Sequence, residues 1–325
     1  MKLRIFIVLL IMVLTVPLLA QENPTGDKEV YKPLKFLPIQ RFPIGILHVY
    51  RYTDTTEVTK YLPDSTQTSY KRVVTHFFTL KQVNPDKNGF ITLEVSMDST
   101  RYYLMEGRAE LYWDSQDDKS GGINMQDIKY ATVPLGHYFD MTISPYGEIA
   151  KISGENVDWY FGYLDKYADQ LNDSVEKFIW YDGMSMDRIA QITDAKKIDF
   201  PSEKIAVDSV WRTPFAIQVE NINFVDTAKA YISKIEDGYM TIEADAGNLR
   251  ALPGNYLFYN IKDMLLPVQK NKGVGKYIIT LNPRGNLEKA TANCLINLEI
   301  PVHNDIFKLK IKSSMSWDLL EMYKQ

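Results

Sequence analysis

Apolar and polar residues alternate along much of this chain. At 88–97, NGFITLEVSM puts Ile91, Leu93, Val95 and Met97 on one face and Thr92, Glu94 and Ser96 on the other. DGYMTIEADA at 237–246 repeats the pattern without gaps, with Met240, Ile242, Ala244 and Ala246 against Thr241, Glu243 and Asp245. Alternation at period two predicts antiparallel strands with one buried and one wet face. The leading Asn-Gly and Asp-Gly favour type I′ turns, whose twist suits flanking strands. A second pair, FDMTISPYGEIAK at 139–151 and YIITLNPRGNLEK at 277–289, sets Pro145 on Pro283 and Gly147 on Gly285. Phe139, Met141 and Ile143 then fall on Tyr277, Ile279 and Leu281. Proline fixes φ and glycine permits φ > 0 two residues later, which is turn chemistry between strands. The two matches keep their order, at offsets of 149 and 138 residues. The expectation is one β-rich module present twice.

Further strands follow near the C-terminus. Ala290, Ala292, Cys294, Ile296, Leu298 and Ile300 share one face, and Phe307, Leu309 and Ile311 alternate with Lys308, Lys310 and Lys312. Between the repeats the period changes. Tyr160, Leu164, Tyr167, Leu171, Val175 and Phe178 recur at steps of three and four, which predicts an amphipathic helix capped by Asn156 or Asp158 and ended by Gly183. A short second helix is expected around Met186, Ile189 and Ile192.

The N-terminus carries a different signal. Lys2 and Arg4 precede an apolar run from Ile5 to Leu19, and Ala20 stands just before polar sequence. This is the layout of a secretory signal peptide cleaved near Ala20. The run is shorter than the roughly 20 residues of a spanning helix. Removing residues 1–20 takes away two basic residues, moving the formal charge from −4 to −6. A mildly acidic chain has no overall attraction for nucleic acid. The expected organisation is a signal peptide at 1–20, an extension at 21–41, a first β-unit at 42–154, a helical segment and linker at 155–202, and a second β-unit at 203–325.

Motifs that carry chemistry do not assemble. His48, His76, His137 and His303 make no short-range ligand pair, and Cys294 is the only cysteine, so no internal disulfide forms. Cys294 shares a face with Ala292 and Ile296 and reads as packing. DSQDDKSGG at 114–122 spaces Asp114, Gln116 and Asp118 like part of a calcium loop, but Lys119 and Met125 stand where the sixth-place glycine and the twelfth-place acid belong. GVG at 273–275 lacks the rest of a dinucleotide fingerprint. NDS at 172–174 fits a glycosylation sequon but falls in the helical segment. Trp113, Trp159, Trp180, Trp211 and Trp317 are read as core fillers. No catalytic, cofactor-binding or metal residue is assigned.

FPSEKIAVDSVW at 200–211, together with the repeated Pro-x-Gly hairpins, resembles uncharacterised exported β-rich proteins of Gram-negative bacteria built in two halves. In such families a Gly-Asp-Ser/Thr-Trp segment opens the second half; here Val207 replaces the glycine and Val210 intervenes before Trp211. A looser similarity is to periplasmic lipoprotein carriers, where a curved antiparallel sheet wraps helices and holds acyl chains. The resemblance implies location and architecture and transfers no catalytic residue. The sequence therefore predicts a mainly β (α+β) chain of two related curved antiparallel β-units with an intervening amphipathic helical segment. Its expected role is a non-enzymatic exported binding or carrier protein for an apolar or amphipathic ligand such as lipid, held in a cavity between sheet and helix. The alternative is a structural component of the cell envelope with a protein partner. No cofactor is expected.

Overall fold

The computed structural model describes residues 34–62, 64, 66–85, 89–117, 125–144, 148–171, 174–252, 256–259, 264–302 and 304–324. The signal-peptide region, Pro145, Gly147 and His303 lie outside them. Residues 35–325 form one compact unit. The first β-unit supplies β2 (Ile46–Tyr61), β3 (Gln67–Pro85), β4 (Ile91–Glu106), β5 (Ala109–Asp114), β6 (Tyr138–Ile143) and β7 (Ile149–Ser153). The second supplies β9 (Val210–Val219), β10 (Ile222–Glu236), β11 (Tyr239–Ala251), β14 (Lys270–Leu281), β15 (Leu287–Val302) and β16 (Asp305–Lys324). Short β1 (Lys35–Phe36) pairs with β8 (Ile205–Ala206), and β12 (Tyr256–Tyr259) with β13 (Met264–Pro267).

Twelve strands belong to one antiparallel sheet, ordered β7-β6-β4-β3-β2-β16-β15-β14-β11-β10-β9, with β5 added along β4. The two units are thus not separate sheets. The first strand of one, β2, pairs with the last strand of the other, β16, from Lys308↔Tyr61 to Lys324↔Ile46. The segments matched by sequence occupy corresponding places. Ile91, Leu93 and Val95 face Ile143, Met141 and Phe139. Met240, Ile242 and Ala244 face Leu281, Ile279 and Tyr277 in the same register. Each following hairpin shifts register at one point, between Thr142 and Ile143 and between Thr280 and Leu281. Its closing bonds also correspond, Ser144 N to Glu148 O at 2.8 Å and Asn282 N to Asn286 O at 2.9 Å. Asp237 and Gly238 adopt φ of 51° and 83°, the type I′ geometry that the dipeptide predicts.

The helical segment divides where the sequence predicts continuity. Helix α1 (Gln126–Thr132) precedes β6; α2 (Glu155–Tyr167), α3 (Ser174–Gly183) and α4 (Met186–Thr193) lie between the units. Asn156 and Asp158 sit inside α2 rather than capping it. Tyr160, Leu164 and Val175 are buried, as the stripe predicts. Ser185 caps α4, its side chain accepting the Arg188 N–H. That helix fills the concave side of the sheet. Gln191 Nε2 donates to Tyr52 Oη (3.3 Å) on β2 and reaches Met315 Sδ (3.0 Å) on β16, while its Oε1 accepts Gln218 N–H (3.0 Å) from β9. One side chain touching the centre and one margin of the sheet shows how far the sheet curls. Ile189 and Ile192 are fully buried beneath it, worth about 1.5–3 kcal/mol each. The curl stops short of closure, since β7 and β9 are not paired and α4 packs beside both. Along β9, Pro214 carries no N–H to offer, and Phe215 makes an isolated bridge to Ile198.

Trp317 ties the helix to the wall: it is fully buried and its Nε1 donates to Ile192 O at 2.9 Å. Trp317→Ala is expected to lower stability by about 3–5 kcal/mol, read as a lower urea midpoint with an unchanged slope.

Candidate functional site

The concave interior was the expected home of a ligand cavity, and it is occupied by the protein itself. Helix α4 and the strap 194–200 pack against Tyr52, Tyr277, Met315 and Trp317. The Tyr277 hydroxyl donates to Ala195 O. Lys197 Nζ donates to Ala190 O at 3.0 Å and lies over the Trp317 ring, and burial pulls its pKa down to about 8. The neighbouring Asp194 carboxyl is pushed up by burial. Where the strap meets β9 and β10 a hollow of about 350 Å³ remains.

The sequence-noted groups scatter. His48 is buried between the rings of Phe42 and Tyr50. His76 is buried with Nδ1 against Thr100 Oγ1 (3.0 Å), and His137 meets the Tyr160 ring edge-on. Burial depresses the pKa of all three. Among the described residues no His, Cys, Asp and Glu group is arranged to hold a metal. Burial pushes the Cys294 thiol up to about 12, so the thiolate is suppressed. Asp114 is tied to Arg101 and to Gln116 N–H, while 118–124 and 172–173 lie outside the described residues. One tryptophan departs from the core-filling expectation. Trp159 is 65% exposed and stacks on Tyr163, which meets Tyr167 one turn on.

Periodicity gave no sign of a buried polar cluster under α1. Arg72 on β3 lies 3.3 Å from Asp127 Oδ1 on α1 and 3.0 Å from Glu220 Oε1 in the β9–β10 turn. Tyr70 donates to Glu220 Oε2 (3.2 Å), and the Tyr102 hydroxyl donates to Asp127. Glu220 and Asn221 hold φ of 51° and 59°, the I′ turn that carries the carboxylate across to β3. An enclosed space of about 20 Å³ here is lined by Arg72, Arg188, Gln218 and Glu220. Arg72 Nε, Arg188 Nε and Gln218 Oε1 find no hydrogen-bond partner there, while Glu220 Oε1 is held by Arg72.

Two wider hollows lie elsewhere, on the outer face of the sheet. One of about 700 Å³ crosses β11, β14, β15, β16 and β2, and one of about 490 Å³ adjoins it toward Tyr61. On the inner face one cross-strand row reads Thr56, Ser313, Cys294, Gly275 and Ala246, all small. At Gly275 an added Cβ would lie 3.1 Å from Leu249 Cδ1 and 3.4 Å from Cys294 Sγ; at Gly273 it would meet Ile296 at 3.0 Å. With no side chain at either position, β14 packs closely on Leu249, Cys294 and Ile296 at its inner side, beneath the hollow. GVG, meaningless as a cofactor fingerprint, thus shapes the wall. Val274 and Leu295, 45% and 37% exposed, line the larger hollow of this outer trough with Lys312; Lys272 and Lys308 line the smaller, and Lys310 stands in the row between them, opposite Asn297.

No family model and no curated protein matches this sequence. Among solved structures, a lipovitellin described for its lipid–protein interactions is similar at 10% identity and a TM-score of 0.43, over 87% of this chain and 26% of that one. The chain therefore spans about a quarter of that protein's length. An outer membrane channel from Pseudomonas putida F1 is similar at 8% identity and a TM-score of 0.26, over 87% and 98%. Neisserial surface protein A is similar at 7% identity and a TM-score of 0.20, over 85% and 99%. Likeness at this level bears on neither ligand nor partner. No helix among the described residues is long and apolar enough to cross a membrane.

Two outcomes test the geometry. Gly275→Val should cost about 1–3 kcal/mol through overpacking, seen as a lowered urea midpoint. Burial raises the Glu220 carboxyl from 4.5 to about 7, against the opposing pull of Arg72. A raised acid binds more protons folded than unfolded, so its stabilising contribution is present below pH 4.5 and declines as pH climbs to 7. Relative to Glu220→Gln, the wild type should lose about 3 kcal/mol across that window and run parallel above it. His76 acts in the opposite sense in both proteins and cancels from the difference.

Proposed function

We propose that this chain is an exported, non-enzymatic binding or carrier protein for an apolar or amphipathic ligand such as a lipid, and that the ligand lies in the outer trough. The observation that carries the reading is the pair of adjoining hollows, about 700 and 490 Å³. These sizes fall in the range of small-molecule sites. Their walls combine apolar side chains with a few charged groups, as such sites do. The filled interior supports the trough over a chamber beneath the helices, because admitting a ligand there means unpacking Ile189, Ile192 and Trp317. Export rests on the cationic start and the apolar run ending near Ala20. Residues 42–154 and 203–325 are read as copies of one module, supported by their equal registers.

A second reading, a structural or assembly component of the cell envelope, draws support from the exposed Trp159–Tyr163–Tyr167 ladder on α2. Aromatic side chains at a surface are favoured anchors for a protein partner.

Native mass spectrometry of the exported protein separates the two. The binding reading expects the mature chain to carry a lipid-sized adduct that organic solvent removes and added lipid restores. A bare chain that takes up no lipid, and copurifies in fixed ratio with one envelope protein through Trp159, would overturn it in favour of assembly.

A further inference from the structure

We infer that the ligand of the outer trough is an anionic amphiphile, its phosphate or carboxylate head held by Lys272, Lys308, Lys310 and Lys312 and its chain laid over Val274 and Leu295. The inference rests on the binding reading above and names the ligand class of that site. Three adjacent cross-strand rows carry it. The first runs Lys270, Glu299, Lys308 and Tyr61; the next Lys272, Asn297, Lys310 and Thr59; the third Val274, Leu295, Lys312 and Glu57. Successive rows on one face of a strand are about 7 Å apart. Five ammonium groups therefore gather on one patch of a chain whose formal charge is −4.

The charges within the patch are unevenly balanced. Lys270 pairs with Glu299 at 3.1 Å, and nearby Lys276 pairs with Glu243 at 2.6 Å. Among the described residues no carboxylate comes within ion-pair range of Lys272, Lys308, Lys310 or Lys312; Glu57 is engaged by Lys71 at 3.7 Å. No lysine of the patch stands directly opposite another; Lys272 and Lys310 flank Asn297, Lys308 faces Glu299 and Lys312 faces Glu57. An anion resting among Lys272, Lys308, Lys310 and Lys312 supplies the counter-charge that no carboxylate there provides. Position selects an amphiphile over a simple anion, since Val274, Leu295 and Lys312 stand in one row and lysine stems extend the apolar wall while their heads remain at the rim. The carboxylates bound the other side. Glu57 and Asp245 line the larger hollow away from Lys272 and Lys310. An acidic head is repelled there and drawn to the lysine rows, and the chain runs back across Val274 and Leu295.

The test is calorimetric titration of the purified protein with lysophosphatidylglycerol and lysophosphatidylcholine of one chain length, each below its micelle concentration. The anionic lipid should bind one-to-one and about tenfold tighter or more, about 1.4 kcal/mol, and the preference should shrink as salt rises. Lys272→Glu with Lys310→Glu should abolish the preference while leaving the lysophosphatidylcholine affinity in place. Val274→Asp with Leu295→Asp should weaken both lipids, and Lys229→Gln, on β10 outside the trough, should change neither. Equal affinity for the two lipids, or a preference that survives the double lysine reversal, would overturn the anionic head and leave the binding reading standing. Binding of neither lipid would remove both. Inorganic phosphate displacing the anionic lipid at comparable affinity would mark a site for a free anion and overturn the amphiphile. Lys229, Lys272, Val274 and Leu295 are exposed and Lys310 is half-buried, and an unchanged urea midpoint shows that the variants fold.

Discussion

A sheet this wide has a long apolar face to bury, and the pairing of β2 with β16 decides how that burial is achieved. Without it each β-unit would hold an open sheet with its own incomplete cover. With it, Tyr52 and Trp317 come side by side at the centre, rings 5.0 Å apart, and a single helix can serve both units. Gln191 shows the economy of the arrangement, since one amide reaches residues from either side of that junction as well as the margin at β9. The curl, the buried α4 and the unpaired margins all follow from joining the units edge to edge.

A row of small inner residues lies directly beneath the outer hollow, and the lining of that hollow is set by the outer positions of the same strands. Val274 lies between Gly273 and Gly275 in one three-residue stretch: the glycines pack against the interior and the valine lines the hollow.

Much of this was legible in the alternation. Strand faces, the Asp237-Gly238 turn, the equivalence of 91–95 with 240–244 and the burial of Cys294 follow from local periodicity, which a strand obeys whatever its partners. The break between α2 and α3 was not legible, because the stripe from Tyr160 to Phe178 keeps its spacing across it. Nor was the Arg72–Glu220 pair, whose members are 148 residues apart and meet only because the sheet curls. The trough was hidden for the same reason. Lys272, Leu295 and Lys310 read singly as solvent-facing residues of three strands, and only register sets them in neighbouring rows. Alternation says which side a residue faces, while a site needs to know beside whom.

The two margins bear on how this molecule behaves in a crowd of its own kind. A long strand with free amides is a template on which another copy can grow. Here one flank ends in a five-residue strand, and the other presents Pro214, which has no amide to give, beside a residue already engaged by Ile198. Recruitment of a further strand is frustrated at both flanks. At β7 and β9, where the strand path ends, the unclosed sheet offers little for a further strand to extend.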